Sequence, residues 1–109
     1  CDTETTGVDP SSESPVGNGR VVCLSVYAGP DVCFRRLEYG VGPDGGPPVS
    51  CLWVDTLGDE GVLEEFRRFL ECERCRKVWH NYSFDKHVLG NHRVQCVGFG
   101  GDTIHMARL

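Results

Sequence analysis

"RKVWHNYSFDKHVLGNH", residues 76–92, decides the fold class. "RKVWH" (76–80) reads as a short strand and "SFDKHVLGNH" (83–92) as a short helix. Asn81 or Ser83 is placed to cap that helix, and Gly90 lies near its end. Phe84 and Val88 share one helical face and would pin the helix to a sheet. Asp85 then falls on a neighbouring face, free to turn towards a cleft at the strand ends, where open α/β sheets commonly bind ligands. The plainer reading of Asp85 alone is an acid that complements the helix dipole.

Upstream, residues 1–4 read as the end of a strand, and "GVDPSSESPVGNG" (7–19) as a loop. "RVVCLSVYAG" (20–29) is a strand by its β-branched and apolar content. A further short strand is expected within 31–40, a Pro/Gly loop over 41–50 and a strand over 50–56. In "GDEGVLEEFRRFLEC", Val62, Leu63, Phe66, Phe69 and Leu70 fall on one helical face. Asp59 and Glu60 at its start and Arg67 and Arg68 near its end suit the helix dipole, and Glu64 with Arg68 forms an i,i+4 pair. One more strand is expected over 93–99, then a helix opened by the Asp-Thr of "DTIHMARL". Strands first and helix-linked strands later make this an α/β domain, a single unit over 1–109 without internal repeats. Trp53 and Trp79 lie in expected strands and read as core.

The bulk numbers limit the function. A chain of 109 residues holds one small core. With 39% hydrophobic and 25% charged residues it has the composition of a soluble globular protein. A net charge of −5 disfavours binding long nucleic acid through a basic patch, but does not exclude an enzyme whose metals neutralise its own carboxylates. There is no apolar run of the ~20 residues that span a membrane, so no membrane partner is expected. The start lacks the pattern of a signal peptide, and a first residue other than Met points to a piece of a longer chain. Seven cysteines, mostly in apolar runs, read as reduced and mostly buried thiols, hence as an intracellular compartment. Cys72 and Cys75 of "CERC" have no second pair with which to complete a zinc site. The four histidines show no zinc-hydrolase spacing, and His80 reads as packed or hydrogen-bonded.

The chemistry begins at "CDTETTGVDP", residues 1–10. On a strand, Asp2 and Glu4 point to the same side. Two carboxylates so close repel unless a cation or proton lies between them. Hard cations such as Mg²⁺ or Mn²⁺ take such oxygen ligands, whereas the plain alternative is a solvated strand end.

"DTETTG" followed about 80 residues later by "HNYSFD" resembles the first two motifs of the DEDD superfamily of 3′–5′ exonucleases, ribonuclease H-like domains that include the proofreading domains of DNA polymerases. "GDTIHMARL" narrows the resemblance to the exonuclease domain of family A DNA polymerases, and "VWHNYSFDKHV" is similar to the organellar enzymes of plants and algae. The resemblance implies a ribonuclease H-like mixed sheet flanked by helices and truncated at both ends. It implies hydrolysis of phosphodiester bonds at nucleic-acid 3′ ends with two divalent ions, Mg²⁺ or Mn²⁺. Asp2, Glu4 and Asp85 match the catalytic, metal-binding carboxylates. Asn81, Thr3 and Val8 match positions at the substrate's terminal nucleotides. Asp102 matches a position read as a helix cap, not a ligand. The implied partners are a single-stranded DNA 3′ end, with RNA possible, and a polymerase domain of the same parent chain, in the chloroplast or mitochondrion. The family's fourth carboxylate, and the Tyr or His that precedes it, are not supplied by residues 103–109. The stretch is therefore expected to carry three of four catalytic carboxylates. The alternatives are a stand-alone exoribonuclease and a non-catalytic domain that keeps the fold.

Overall fold

A computed structural model describes residues 1–35 and 49–109. Strands β1 (Asp2–Thr6), β2 (Arg20–Tyr27) and β3 (Cys51–Asp55) form an antiparallel sheet in that order. Strands β4 (Lys77–Trp79) and β5 (Phe99–Asp102) form a parallel pair. The amino nitrogen of Cys1 donates to the Val78 carbonyl at 2.7 Å, which sets the start of β1 beside β4. The helices are α1 (Glu60–Glu65), α2 (Arg67–Leu70), α3 (Tyr82–Asn91) and α4 (Thr103–Met106). This is the expected α/β order, although the strand expected within 31–40 does not form over 31–35. Its remainder, and most of the loop expected over 41–50, lie outside the described residues. Among the described residues no helix is long and apolar enough to cross a membrane.

Strand register separates the two faces of the sheet. Thr3, Leu24 and Val54 stand in one cross-strand row, and all three are buried. Leu24, Val26 and Val54 pack with Val62, Phe66 and Phe69 of the two short helices. Each fully buried aliphatic side chain there contributes about 2 kcal/mol. The rows Asp2–Ser25–Trp53 and Glu4–Cys23–Asp55 belong to the other face. Trp53, expected in the core, is instead 65% exposed, because its row turns away from the helices. Trp79 is buried as expected, with Val21, Leu63, Leu70, Val88, Leu89, Val94 and Cys96.

Three other expectations change. The helix over 59–72 is broken at Phe66, whose N–H bonds to Leu63 three residues back, not to residue 62. The tighter turn brings Arg67, not Arg68, onto Glu64, and Arg67 also reaches Glu71 and the Arg93 carbonyl. The strand expected over 93–99 begins only at Phe99: Arg93 and Gly98 both take positive φ, 60° and 71°, which interrupts an extended run. All seven cysteines carry free thiols, but only Cys23 and Cys96 are buried, while Cys51 and Cys75 are exposed.

Lys77 is the least expected core residue, 2% exposed. Its ammonium donates to the carbonyls of Phe69, Cys72 and Cys75 at 3.0, 2.9 and 2.6 Å and lies 5.1 Å from the Phe69 ring centroid. A buried ammonium is tolerable when its three donors are all used. The same turn closes over Gly98, where an added Cβ would stand 2.6 Å from the Cys75 carbonyl oxygen. The turn is thereby clamped between β4 and the residue that leads into β5.

Candidate active site

Asp85 sits in the first turn of α3 and is 1% exposed. Its Oδ1 accepts from the Thr3 backbone N–H at 2.9 Å and from the Thr3 hydroxyl at 2.7 Å. Asp85 is thus not turned freely towards a cleft, as the sequence implied; it is held against β1. Burial pushes its carboxyl up to about 6; the Thr3 hydrogen bonds oppose that rise, and the charge of Asp2 adds to it.

The start of α3 is set from a distance. Asn81 takes a left-handed conformation, φ 62° and ψ 54°, which asparagine tolerates better than most residues. Its side chain makes no capping hydrogen bond. The cap is Asp102: its Oδ1 accepts from the Asn81 N–H at 2.9 Å and its Oδ2 from the Tyr82 N–H at 2.8 Å. The same carboxylate accepts from the Ile104 N–H at 3.0 Å and caps α4. Asp102 is therefore a cap, as expected, but for two helices. Burial disfavours its charge, yet the three N–H donors outweigh that and hold its carboxyl below the ordinary range. His80 is hydrogen-bonded as expected, with Nδ1 2.9 Å from the Thr103 hydroxyl.

Asp2 and Glu4 alternate with buried Thr3 along β1 and are both exposed. Thr3, assigned to the substrate from the sequence, has its hydroxyl committed to Asp85. Asn81 is exposed at the head of α3, two strand-to-helix residues beyond Trp79. Val8 is half-buried where β1 leaves the sheet, and an added Cβ on Gly19 would stand 2.7 Å from its Cγ1.

The donor set suits a hard divalent cation: oxygen only, with two carboxylates open to solvent and a third whose charge is poorly compensated. Among the described residues, however, no three His, Cys, Asp or Glu side chains are grouped closely enough to hold a metal. The structure brings Asp85 to the acidic strand through Thr3 and leaves Asp2 and Glu4 on its outer side. Lys77, which holds the turn before β4, carried no motif: its three carbonyl partners are brought together only by the fold.

Known proteins resemble the whole chain. It is 46% identical over 111 aligned positions to DNA polymerase I A, chloroplastic/mitochondrial, of Arabidopsis thaliana. It is 44% identical to DNA polymerase I B, chloroplastic/mitochondrial, of the same plant, and 44% to DNA polymerase I B, mitochondrial, of Oryza sativa subsp. japonica. The alignments cover 100% of this chain and 10% of each relative. The chain thus spans about a tenth of the length of these curated relatives. No protein-family model and no solved structure matches it.

Proposed function

We propose that this chain is part of a 3′–5′ exonuclease domain in an organellar polymerase I-type DNA polymerase, where it removes nucleotides from DNA 3′ ends. The observation that carries the reading is the Thr3–Asp85 contact, which ties the acidic strand to the carboxylate of the second motif across 82 residues. The relatives' names support the DNA polymerase setting and its location in the chloroplast or mitochondrion. The antiparallel β1–β2–β3 sheet, with β4 bridged to the start of β1, supports a ribonuclease H-like arrangement.

Asp2, Glu4 and Asp85 would hold Mg²⁺ or Mn²⁺, two ions in the full domain. Bound there, the ions supply charge neutralisation at the scissile phosphate and a more acidic water. The protein's share is to place the ligands. Oδ1 of Asp85 is taken by Thr3, so Oδ2 is the oxygen that would meet a cation. Asp2 and Glu4 are exposed on the other side of β1, so a shared ion would require their side chains to swing round the strand edge towards it. Asn81 presents its amide at the head of α3, and Val8 offers an apolar contact to the terminal bases of a single strand. The polymerase domain of the parent chain would deliver the frayed DNA end.

The test uses the full-length parent protein. Mn²⁺-dependent release of mononucleotides from a 3′-tailed DNA oligonucleotide is expected, and is abolished by chelation and by Asp2→Ala or Asp85→Ala. Equal degradation by the variant lacking both carboxylates would sink the assignment. Faster release from the matching RNA would move the reading to an exoribonuclease.

A further inference from the structure

We infer that Asn91 is a positioning residue for the nucleic-acid 3′ end: its amide anchors the loop that seats Val8. The inference rests on the exonuclease reading above.

The β1–β2 loop, residues 7–19, is organised in its first half by its own side chains. Asp9 accepts from the Ser11 backbone N–H and hydroxyl at 3.0 and 2.5 Å and from the Ser12 hydroxyl at 2.7 Å, and Glu13 returns to the Asp9 N–H at 2.8 Å. These bonds shape the loop without fixing it to the rest of the molecule. Asn91 makes that link in the second half. Its Oδ1 accepts from the Gly17 N–H at 2.9 Å. Its Nδ2 donates to the carbonyls of Asn18, Pro15 and Gly19 at 2.7, 2.9 and 3.2 Å. Two amide hydrogens serve three acceptors, so one is shared. Next along the chain, His92 Nε2 accepts from the Val21 N–H at 2.9 Å and fixes the start of β2.

The link continues to Val8. Gly19, φ 85°, carries no Cβ, and the Val8 methyl lies in the space one would occupy. Asn91 thus holds Gly19, and Gly19 backs Val8. Asn91 and Asp85 stand on the same helix, α3, so one rigid element sets both a carboxylate and the loop that would meet the terminal bases. A loop that touches only the terminal bases contributes binding made equally in the ground and transition states, so its loss raises KM and leaves kcat.

Asn91→Ala in the full-length parent is expected to raise KM for a 3′-tailed DNA roughly tenfold while kcat stays within about twofold. Asn91→Asp keeps the acceptor for Gly17 but sets a carboxylate against three carbonyls, and is expected to match Ala. In a Val8→Ala background the KM effect of Asn91→Ala should vanish, since the anchored group is gone. Hydrogen exchange of residues 15–19, read by mass spectrometry, should accelerate in both Asn91 variants. That readout needs no activity. Unchanged KM or unchanged exchange in Asn91→Ala overturns the inference, as does additivity with Val8→Ala. A wild-type parent that releases no 3′ nucleotides overturns the exonuclease reading itself, and the exchange data then report the loop anchor separately.

Discussion

The hydroxyl of Thr3 meets Oδ1 of Asp85 at 2.7 Å, and the Thr3 N–H reaches the same oxygen at 2.9 Å. Two hydrogen bonds of this kind fix where the carboxylate stands but do not repay its removal from water. Asp85→Asn keeps a carbonyl oxygen for Thr3 and removes the charge beside Asp2. The expected outcome is a thermal midpoint at pH 8 equal to or above that of the wild type. The full-length enzyme should lose 3′-end degradation by at least about 100-fold. Thr3→Val keeps the shape but loses one bond to the carboxylate, and should cost about 1 kcal/mol in urea unfolding. A strongly destabilised Asp85→Asn protein would count against this placement of the charge.

The pH dependence follows with a definite sign. Asp85 has a folded value of about 6 against an ordinary 3.8, so between these values the folded chain holds a proton that the unfolded chain has released. Its contribution is full below about pH 4, declines as pH rises to 6, and is flat above, about 3 kcal/mol in all. His92 acts in the opposite sense. Burial first, and Arg20 second, lower its value below 6.5, so its contribution is present above pH 6.5 and is lost as pH falls. Urea titrations without divalent ions should show Asp85→Asn flattening the decline between pH 4 and 6. An unchanged slope in that window would contradict the assignment.

Lys77→Met fills similar volume but leaves the carbonyls of Phe69, Cys72 and Cys75 without their donor. A loss of about 3 kcal/mol is expected in urea unfolding. Gly98→Ala attacks the same clamp from the other side, through the 2.6 Å approach and a φ of 71°. The double variant should cost less than the sum of the two single ones, because both open one turn.

Asp102→Ala should fray two helices together. Amides 81, 82 and 104 lose their acceptor at once, and hydrogen exchange of both segments should accelerate in the same variant. The 3′-end activity should fall as well, through displacement of Asp85, with no change in the cation required. Acceleration at residue 104 alone would show that the start of α3 has another support.

Much of this was legible in the sequence. The strand over residues 20–27 follows from its β-branched and apolar content and the helix around Asp85 from side-chain spacing, and Asp2 with Glu4 share a face by strand alternation. What local patterns missed were contacts distant in the chain. "FGGD" has no β-branched signal, yet it forms β5, and an added Cβ on Gly100 would stand 3.1 Å from the Lys77 carbonyl oxygen. Asn81 and Ser83 were the nearest capping candidates, but the cap lies 20 residues on, at Asp102. Trp53 read as core because its composition does not say which face a helix covers. The Asp85 helix was visible; its grip on Thr3 was not, since nothing local marks a partner 82 positions away.

The double cap at Asp102 also sets an order of events on the ribosome. The Asn81 and Tyr82 amides lack their carboxylate acceptor until Asp102, 21 and 20 positions later, has been made and has emerged. Until then the head of α3 is unclosed, whatever the rest of that helix has done. The carboxylate that most resembles a catalytic group is therefore among the last parts of this stretch to be locked during synthesis. A pause in translation while Asp102 is still inside the exit tunnel should leave the head of α3 open, and a pause after Asp102 has emerged should let it close.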